Sequence, residues 1–265
     1  MGTITKALEI LGLFSRSRPA MGLGEVVKLT GRDKATVHRH LVELAQNGFL
    51  EQDRATRAYR LGPAILRLGG VREATYPLRS ALRPVVKETA ARVGELVHAS
   101  VLQGDMLSPI VHADPLGHGT QVHFDEGEML PLHATSSGLA VLAFSEPSFS
   151  DRVLSGDLER ITAQTLTDPA RLRALLEDVR RAGIAQMDRG FDDEVSSLGA
   201  PVFGAGGEVV GAVSVAVPTV RAAPGKLDAM RPALCAAVVQ ATRALGGQIP
   251  PEHSNKWAET PETAS

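Results

Sequence analysis

The stretch from residue 23 to residue 62 constrains the fold of this 265-residue chain more than any other. Its first helix, "LGEVVKLT", ends at Gly31, because glycine readily takes the left-handed conformation that closes a helix. Asp33 is placed to cap the helix that follows, since its carboxylate can accept from first-turn amides. The buried face of that following helix is predicted from apolar residues at helical spacing, which are Val37, Leu41 and Leu44.

Two short alternations of apolar and polar residues come next, "FLEQ" and "AYRLG", on either side of the polar turn "DRATR". This pattern is typical of a β-hairpin. Upstream, apolar residues at helical spacing predict a helix from about Thr3 to Ser15, and "SRSRPAMG" is predicted to be a loop. The order helix, helix, turn, helix, hairpin indicates a winged helix-turn-helix, whose third helix fits the major groove of B-DNA.

Cationic and short polar side chains mark the outer face of this third helix. Arg39 is the best candidate for a bidentate contact to guanine, and the hairpin tip could enter the adjacent minor groove. The alternative interpretation is a solvated helix with scattered charges. The predicted contacts to double-stranded DNA are Arg32, Lys34, Thr36, His38, Arg39 and His40 on the helix, with Arg54 and Arg57 on the hairpin.

The charge distribution supports a nucleic-acid partner for the front of the chain alone. Residues 1–67 hold 11 Lys and Arg against 6 Asp and Glu, whereas the rest carries a net charge of −7. A single cysteine, Cys235, gives no disulfide framework and favours a reducing compartment. Without a secretory signal or the roughly 18 apolar residues of a bilayer span, we expect a cytoplasmic protein with no membrane partner and no cofactor.

Strands and helices alternate in the rest of the chain, which favours a GAF/PAS-like α+β domain with an antiparallel sheet flanked by helices. Predicted strands include "ELVHASVLQ", "MLSPIVHA", "TQVHF" and "VSSLGAPVF". The predicted domains are a winged helix-turn-helix over 1–62, a linker helix over 63–77 and an effector-binding domain over 78–247. The tail, 248–265, is predicted to be disordered, with its Trp257 exposed to solvent.

The segment "PLHATSSGLAVLAF" places four small or hydroxylated residues at a helix start. Exposed amides and hydroxyls there could bind a small carboxylate, or the side chains could simply cap the helix. The histidines of this half lack the tight pairings of zinc sites, so no metal is expected. No G-x-S-x-G elbow is present, so we expect no catalytic residues and no enzyme activity. The four residues are Thr135, Ser136, Ser137 and Gly138.

Four blocks together resemble the IclR (isocitrate lyase regulator) family of bacterial transcription factors. They are "ITKALEILGLF", the stretch from "LGEVVKLTG" to "RLGPAILRLG", "LPLHATSSGLAVLAF" and "VSSLGAPVFGAGGEVVGAVSVAVP", in the family's order over about residues 3 to 247. The resemblance implies a winged helix-turn-helix, a linker helix and a C-terminal effector domain. It also implies a homodimer or homotetramer on operator DNA, acting as a repressor or an activator.

The resemblance further implies an effector pocket formed by Ser136, Ser137, Val195, Ser196 and Ser197, with Val122 and Leu130 as an apolar wall. The stretch "MDRGFDDEVSS" departs from the family pattern, because Glu194 stands where glycine is usual and Gly190 where an acid is usual. Asp188, or Asp192 with Asp193, could take over polar contacts to the ligand. We expect a small organic acid resembling glyoxylate or pyruvate. The alternatives are an aromatic acid and a domain that only oligomerises.

Overall fold

The computed structural model describes residues 2–15, 17–75 and 77–258. The chain divides into two compact units, Met1–Pro77 and Leu78–Ser265. Each unit has its own cluster of buried apolar side chains. The predicted α+β fold with an N-terminal helix-turn-helix is therefore present, and each unit is described separately below.

The described residues of the front unit form four helices and a small antiparallel sheet of strand order β1-β3-β2. Gly31 has φ 63°, as its helix-ending role predicts, and the Asp33 carboxylate accepts from the Thr36 amide at 2.8 Å. The elements are α1 Thr3–Gly12, β1 Ala20–Met21, α2 Leu23–Thr30, α3 Lys34–Gln46, β2 Leu50–Gln52, β3 Tyr59–Leu61 and α4 Pro63–Thr75.

One strand of this small sheet was not expected. The segment "SRSRPAMG" was predicted to be a loop, but its end forms β1, in which Met21 pairs with Tyr59 of β3. Met21 is buried because it joins the core that α1, α2 and α3 share with the hairpin. Two residues are too few for an alternation to be recognised, so the sequence pattern gave no strand signal here.

The back unit is built on a six-stranded antiparallel sheet of order β6-β5-β4-β9-β8-β7. Its helices are α5 Leu78–Val93, α6 Ser136–Phe144, α7 Pro147–Leu154, α8 Pro169–Ala182, α9 Lys226–Ala244 and α10 Pro251–Ala258. Its strands are β4 Leu96–Gln103, β5 Met106–Ala113, β6 Leu130–Pro131, β7 Ala185–Asp188, β8 Val195–Phe203 and β9 Val209–Pro218.

Helices cover both faces of this sheet. Successive residues of β8 and β9 are buried, which a strand shows when each of its faces is packed. The helices α5 and α9 pack against each other and against the sheet, while α6 packs against the sheet and against α8. The helix α6 is buried along nearly its whole length, because it is apolar on all sides.

Three expectations for this unit are corrected. "TQVHF" is irregular rather than a strand, and the short elements β6 and α7 were not predicted. The predicted disordered tail instead forms α10, and its Trp257 is 2% exposed, packed within the unit's core. The prediction of disorder followed from the polar composition of the tail and did not consider two of its rings. His253 and Trp257 stack with centroids 5.1 Å apart. Residues 259–265 lie outside the described part of the chain.

Candidate functional site

The start of α3 presents basic and polar side chains to solvent. Lys34, His38 and Arg39 are exposed, and Thr36 is partly exposed. The backbone amide of Thr36 holds the pKa of the capping residue Asp33 below its usual range. The first turn of α3 therefore combines the positive end of the helix dipole with flexible cations.

The structure places two of the predicted DNA contacts differently. His40 is 4% exposed, because it lies one turn after Val37 and so joins the buried face of α3. Arg32 forms an ion pair with Glu9 of α1, and its side chain is 17% exposed. The expectation that His40 is displayed outward is thus wrong, and the guanidinium of Arg32 is already engaged within the unit.

The hairpin tip holds Arg54 and Arg57 in exposed positions. The Asp53 carboxylate accepts from the amide of Thr56 at 2.7 Å, and the Gln52 side-chain amide donates to the Arg57 carbonyl at 2.9 Å. Arg57 has φ 60°, a left-handed conformation that costs a non-glycine residue about 1–2 kcal/mol. These side-chain bonds hold the two cations on an ordered turn.

A cavity of about 260 Å³ lies against one face of the six-stranded sheet. Alternate residues of a strand point to the same face, so each strand contributes every second side chain. The sheet residues that line the cavity are His98, Met187, Val195, Ser197, Ser214 and Ala216.

The first turn of α6 forms a second side of the cavity, where Thr135, Ser136 and Ser137 are all buried. Glycines bring this turn close to its neighbours. A Cβ on Gly138 would lie 2.4 Å from Leu132 Cα, and a Cβ on Gly199 would lie 2.6 Å from the Ser137 nitrogen. Both distances are too short for any side chain, so the helix start is fixed by backbone contact.

The third side is the loop between β5 and β6, residues 114–129, here called the cavity loop. It contributes Val122, His123, Phe124, Asp125 and Glu128 to the lining. Leu130 and Ala134 follow it, and Ile161, Phe191 and Asp192 come from two further loops.

The cavity loop is attached to the unit by charged side chains. Glu126 accepts from Arg79 of α5 at 2.9 Å and pairs with His112 at 2.7 Å. Burial would raise the pKa of Glu126, but the hydrogen bonds from His112 and Arg79 hold it below its ordinary value. Earlier in the loop, Arg221 donates to the Thr120 carbonyl. The run 122–125, which holds four of the five lining residues of the loop, is thus tethered on both sides.

Most hydroxyl hydrogens at the cavity are committed within the protein. Ser214 donates to the Leu198 carbonyl at 2.6 Å, so its contact of 2.9 Å with Ser136 requires Ser136 to be the donor. Thr135 donates to the Pro131 carbonyl at 2.9 Å. Thr135 Oγ1 in turn accepts from the Gly138 amide at 3.0 Å and from the Ser137 hydroxyl at 3.3 Å. The oxygens of Ser136 and Ser137 are therefore left as acceptors, and the donors at the helix start are its first backbone amides.

His98 is buried in the cavity wall. Its Nδ1 lies 3.1 Å from Ser100 Oγ, and its ring stacks on Phe124 with centroids 4.5 Å apart. Burial lowers the pKa of His98 to about 3, with a further contribution from the nearby charge of His112. The ring is therefore neutral at neutral pH.

Seven of the ten predicted effector residues line this cavity, and three do not. Ser196 points to the opposite face of β8, where its hydroxyl donates to Asp188 at 2.6 Å. That bond is the main cause of the lowered pKa of Asp188. Asp188 is likewise absent from the cavity lining, and Gly138 packs against the backbone of Leu132 instead of lining the cavity. The seven are Val122, Leu130, Thr135, Ser136, Ser137, Val195 and Ser197.

Sequence reasoning missed several lining residues. His98 and Ser214 are cross-strand partners, and the sequence pattern carries no signal for that pairing because it depends on strand register. Phe124 was misassigned to a strand, and Ile161 sits in a loop with no recognisable pattern. Asp192 was one of the alternatives for the polar contact, and it lines the cavity, whereas its neighbour Asp193 is exposed.

Two family models match the chain. The IclR helix-turn-helix domain matches residues 3–54, and the C-terminal domain of the bacterial transcriptional regulator IclR matches residues 74–243. The chain belongs to the IclR family. The predicted family and fold class are confirmed, and the chain is a transcriptional regulator with a DNA-binding helix-turn-helix and an effector domain.

Individual relatives agree with this assignment. The IclR chain is 33% identical over 250 residues to the HTH-type transcriptional regulator BhcR of Paracoccus denitrificans, covering 94% of this chain and 87% of that protein. An IclR-type crystal structure from Silicibacter sp. TM1040 is 46% identical with a TM-score of 0.85, covering 95% and 99% of the two chains. An IclR homologue from Microbacterium hydrocarbonoxydans, complexed with 4-hydroxybenzoate, is 25% identical with a TM-score of 0.75, covering 92% and 99%.

Within the described ranges, no helix is long and apolar enough to cross a membrane. The same residues contain no group of three or more His, Cys, Asp or Glu arranged to hold a metal ion.

Proposed function

We propose that this IclR regulator binds operator DNA with the first turns of α3 and is modulated by a short organic acid in the cavity of its back unit. The supporting observation for DNA is the exposed set Lys34, Thr36, His38 and Arg39 on one helix that is otherwise packed into a helix-turn-helix core. Arg54 and Arg57 would contact the neighbouring groove or phosphates. Because bacterial operators lie in the cytoplasm, the protein would act there.

A single unit of this size covers too little DNA for specific binding, since one module buries only about 600–1,000 Å² of surface. We therefore propose a homodimer or homotetramer that reads a pseudo-palindrome. Apolar side chains are available for pairing on two helices of the front unit. They are Ile4 and Leu8 on α1, 76% and 60% exposed, and Leu66 and Val71 on α4, 82% and 56% exposed.

The effector proposal rests on the size and chemistry of the cavity. At about 260 Å³ it lies just below the roughly 300–1,000 Å³ of typical small-molecule sites, which favours a short ligand. The backbone amides of Ser136 and Ser137 are the first two of α6 and have no acceptor within their helix. Together with the helix dipole they favour a carboxylate at this end.

One observation favours a second candidate, an aromatic acid. Phe124 and Phe191 both line the cavity, and an aromatic ring could stack on either. The homologue complexed with 4-hydroxybenzoate shows that such a ligand occurs with a protein of this fold. A panel of thermal-shift measurements with glyoxylate, pyruvate and 4-hydroxybenzoate separates the two candidates, because a ligand at 100 times its Kd stabilises by about 2.7 kcal/mol.

The DNA proposal is tested by fluorescence anisotropy with duplex from the region upstream of the gene, at several salt concentrations. We expect Arg39→Ala to cost about 1–3 kcal/mol and to relax one operator position. Lys34→Ala should weaken all sequences about equally and lower the salt slope by about one. Arg92→Ala, which removes an exposed arginine of α5 in the back unit, is the control. If Arg39→Ala and Lys34→Ala both leave the salt-sensitive binding unchanged, another surface of the protein binds DNA.

A further inference from the structure

The charge of the effector cavity is unusual for a site that takes an acid. Three carboxylates line it, Asp125, Glu128 and Asp192, and all the lining residues are described. None of those residues is lysine or arginine. Two guanidinium groups contact the cavity loop, and both are paired, Arg79 with Glu126 and Arg221 with Glu95. Arg189 is paired with Asp188.

The neutral groups of the cavity do not offset this negative charge. His98 is 5% exposed, and its Nδ1 is occupied by Ser100, while its Nε2 has no partner among the described residues. Because the hydroxyl hydrogens of Ser136 and Ser137 are committed elsewhere, their oxygens offer lone pairs. Nε2 of His98 can therefore bond to a polar group of a ligand in either direction, whereas the carboxylates and the serine oxygens that line the cavity can only accept and so favour a ligand that donates hydrogen bonds.

A ligand whose only charged group is a carboxylate would suit the start of α6 but not the acidic side of the cavity. Its negative charge fits the amides at the start of α6, but three carboxylates in the same small cavity would repel it. A ligand that also carries a cation satisfies both ends. Asp192 is a suitable partner for that cation, because it is partly buried and its Oδ1 is fixed by the Glu194 amide at 2.8 Å. Asp125 is also partly buried with one oxygen held by a backbone amide, but it has a further interaction of its own.

We infer that the effector is a short α-amino acid, with its carboxylate at the amides of Ser136 and Ser137 and its ammonium group at Asp192. This inference rests on the proposed function, since it names the class of acid that the same cavity takes. The ammonium group donates three hydrogen bonds, which suits the neighbouring acceptors. The apolar side of the cavity, formed by Val122, Leu130 and Val195, is then left for the side chain.

The test compares amino acids with the keto acids that differ from them only at the α-carbon substituent. The full-length protein is titrated calorimetrically with alanine and pyruvate, and with glycine and glyoxylate. We expect each amino acid to bind at least about tenfold more tightly than its keto partner, as a partly buried charge pair provides. Equal or tighter binding of the keto acids would overturn the inference and leave the proposed function standing. If no acid of either class binds, both fail together.

A pair of neighbouring variants assigns the ammonium site. Asp192→Asn keeps an oxygen for the Glu194 amide but removes the charge, so it should abolish the preference for amino acids over keto acids. Asp193→Asn changes an exposed side chain outside the cavity and should leave that preference intact. Circular dichroism and the melting temperature establish that both variants are folded. A preference that is unchanged in folded Asp192→Asn would refute the assigned contact.

Discussion

Replacing His98 by asparagine should remove a large part of the acid sensitivity of the back unit. The pKa of His98 is lowered from 6.5 to about 3, chiefly by burial and also by His112. Below about pH 6.5 the unfolded chain therefore binds a proton that the folded chain does not bind until about pH 3. The stability contributed by neutral His98 is fully present above pH 6.5 and is lost progressively as the pH falls towards 3.

The size of this effect follows from proton linkage. With these two pKa values, lowering the pH from about 7.5 to about 5 should cost the wild-type protein roughly 2 kcal/mol through His98 alone. His98→Asn should lack that increment, because asparagine does not titrate and its side chain can still bond to Ser100. The change in unfolding free energy between the two pH values should thus be about 2 kcal/mol smaller in the variant than in the wild type.

Urea unfolding followed by the fluorescence of Trp257 measures this difference, because this single tryptophan is buried in the back unit. Groups other than His98 contribute equally to both proteins and cancel in the comparison. His118→Asn is the matched control, since His118 is exposed and changes its surroundings little on folding. If the wild type and His98→Asn lose the same stability on acidification, the buried neutral state assigned to His98 is incorrect.

Three further predictions follow from packing. Gly138→Ala should lower the free energy of unfolding by about 1–3 kcal/mol and weaken acid binding in calorimetry, because there is no room for the added Cβ. The control Gly119→Ala, at a position with open space, should change neither quantity. The emission of Trp257 should be blue-shifted and resist acrylamide quenching, and an emission maximum typical of exposed indole would contradict its burial. Burial raises the pKa of Cys235 to about 11, so its thiol should react slowly with a disulfide reagent at neutral pH until urea is added.

The front unit could be predicted in detail because its signals are local. Gly31 and Asp33 define the turn between α2 and α3, and the apolar spacing from Val37 to Leu41 defines the buried face. The same spacing rule places His40 on that face, and its polarity led to the opposite expectation. The spacing of a residue along a helix, and not its polarity, determines which side of the helix it lies on.

The cavity could be predicted only in part, because its residues come together through strand register. The helix start at Ser136 and Ser137 carries a local signal, and it lines the cavity as expected. For the two serines of β8, no local pattern indicates to which face of the sheet each side chain points. The strand alternation divides them, so Ser197 faces the cavity and Ser196 faces Asp188. The pairing register of β8 with β9 and β7 determines which of these serines faces the cavity. Register depends on residues far apart in the sequence, so a local pattern does not reveal it.

An ion pair joins the cavity loop to the first turn of α5. Arg79 lies in the first turn of α5, two residues after Pro77, and it contacts Glu126 beside the lining residue Asp125. A ligand can shift DNA affinity only as far as it prefers one arrangement of this region over another. A ligand that binds both arrangements equally well would therefore stabilise the fold without regulating. Thermal stabilisation identifies an occupant of the cavity, whereas an effector must also change operator affinity, so both must be measured on the same ligand.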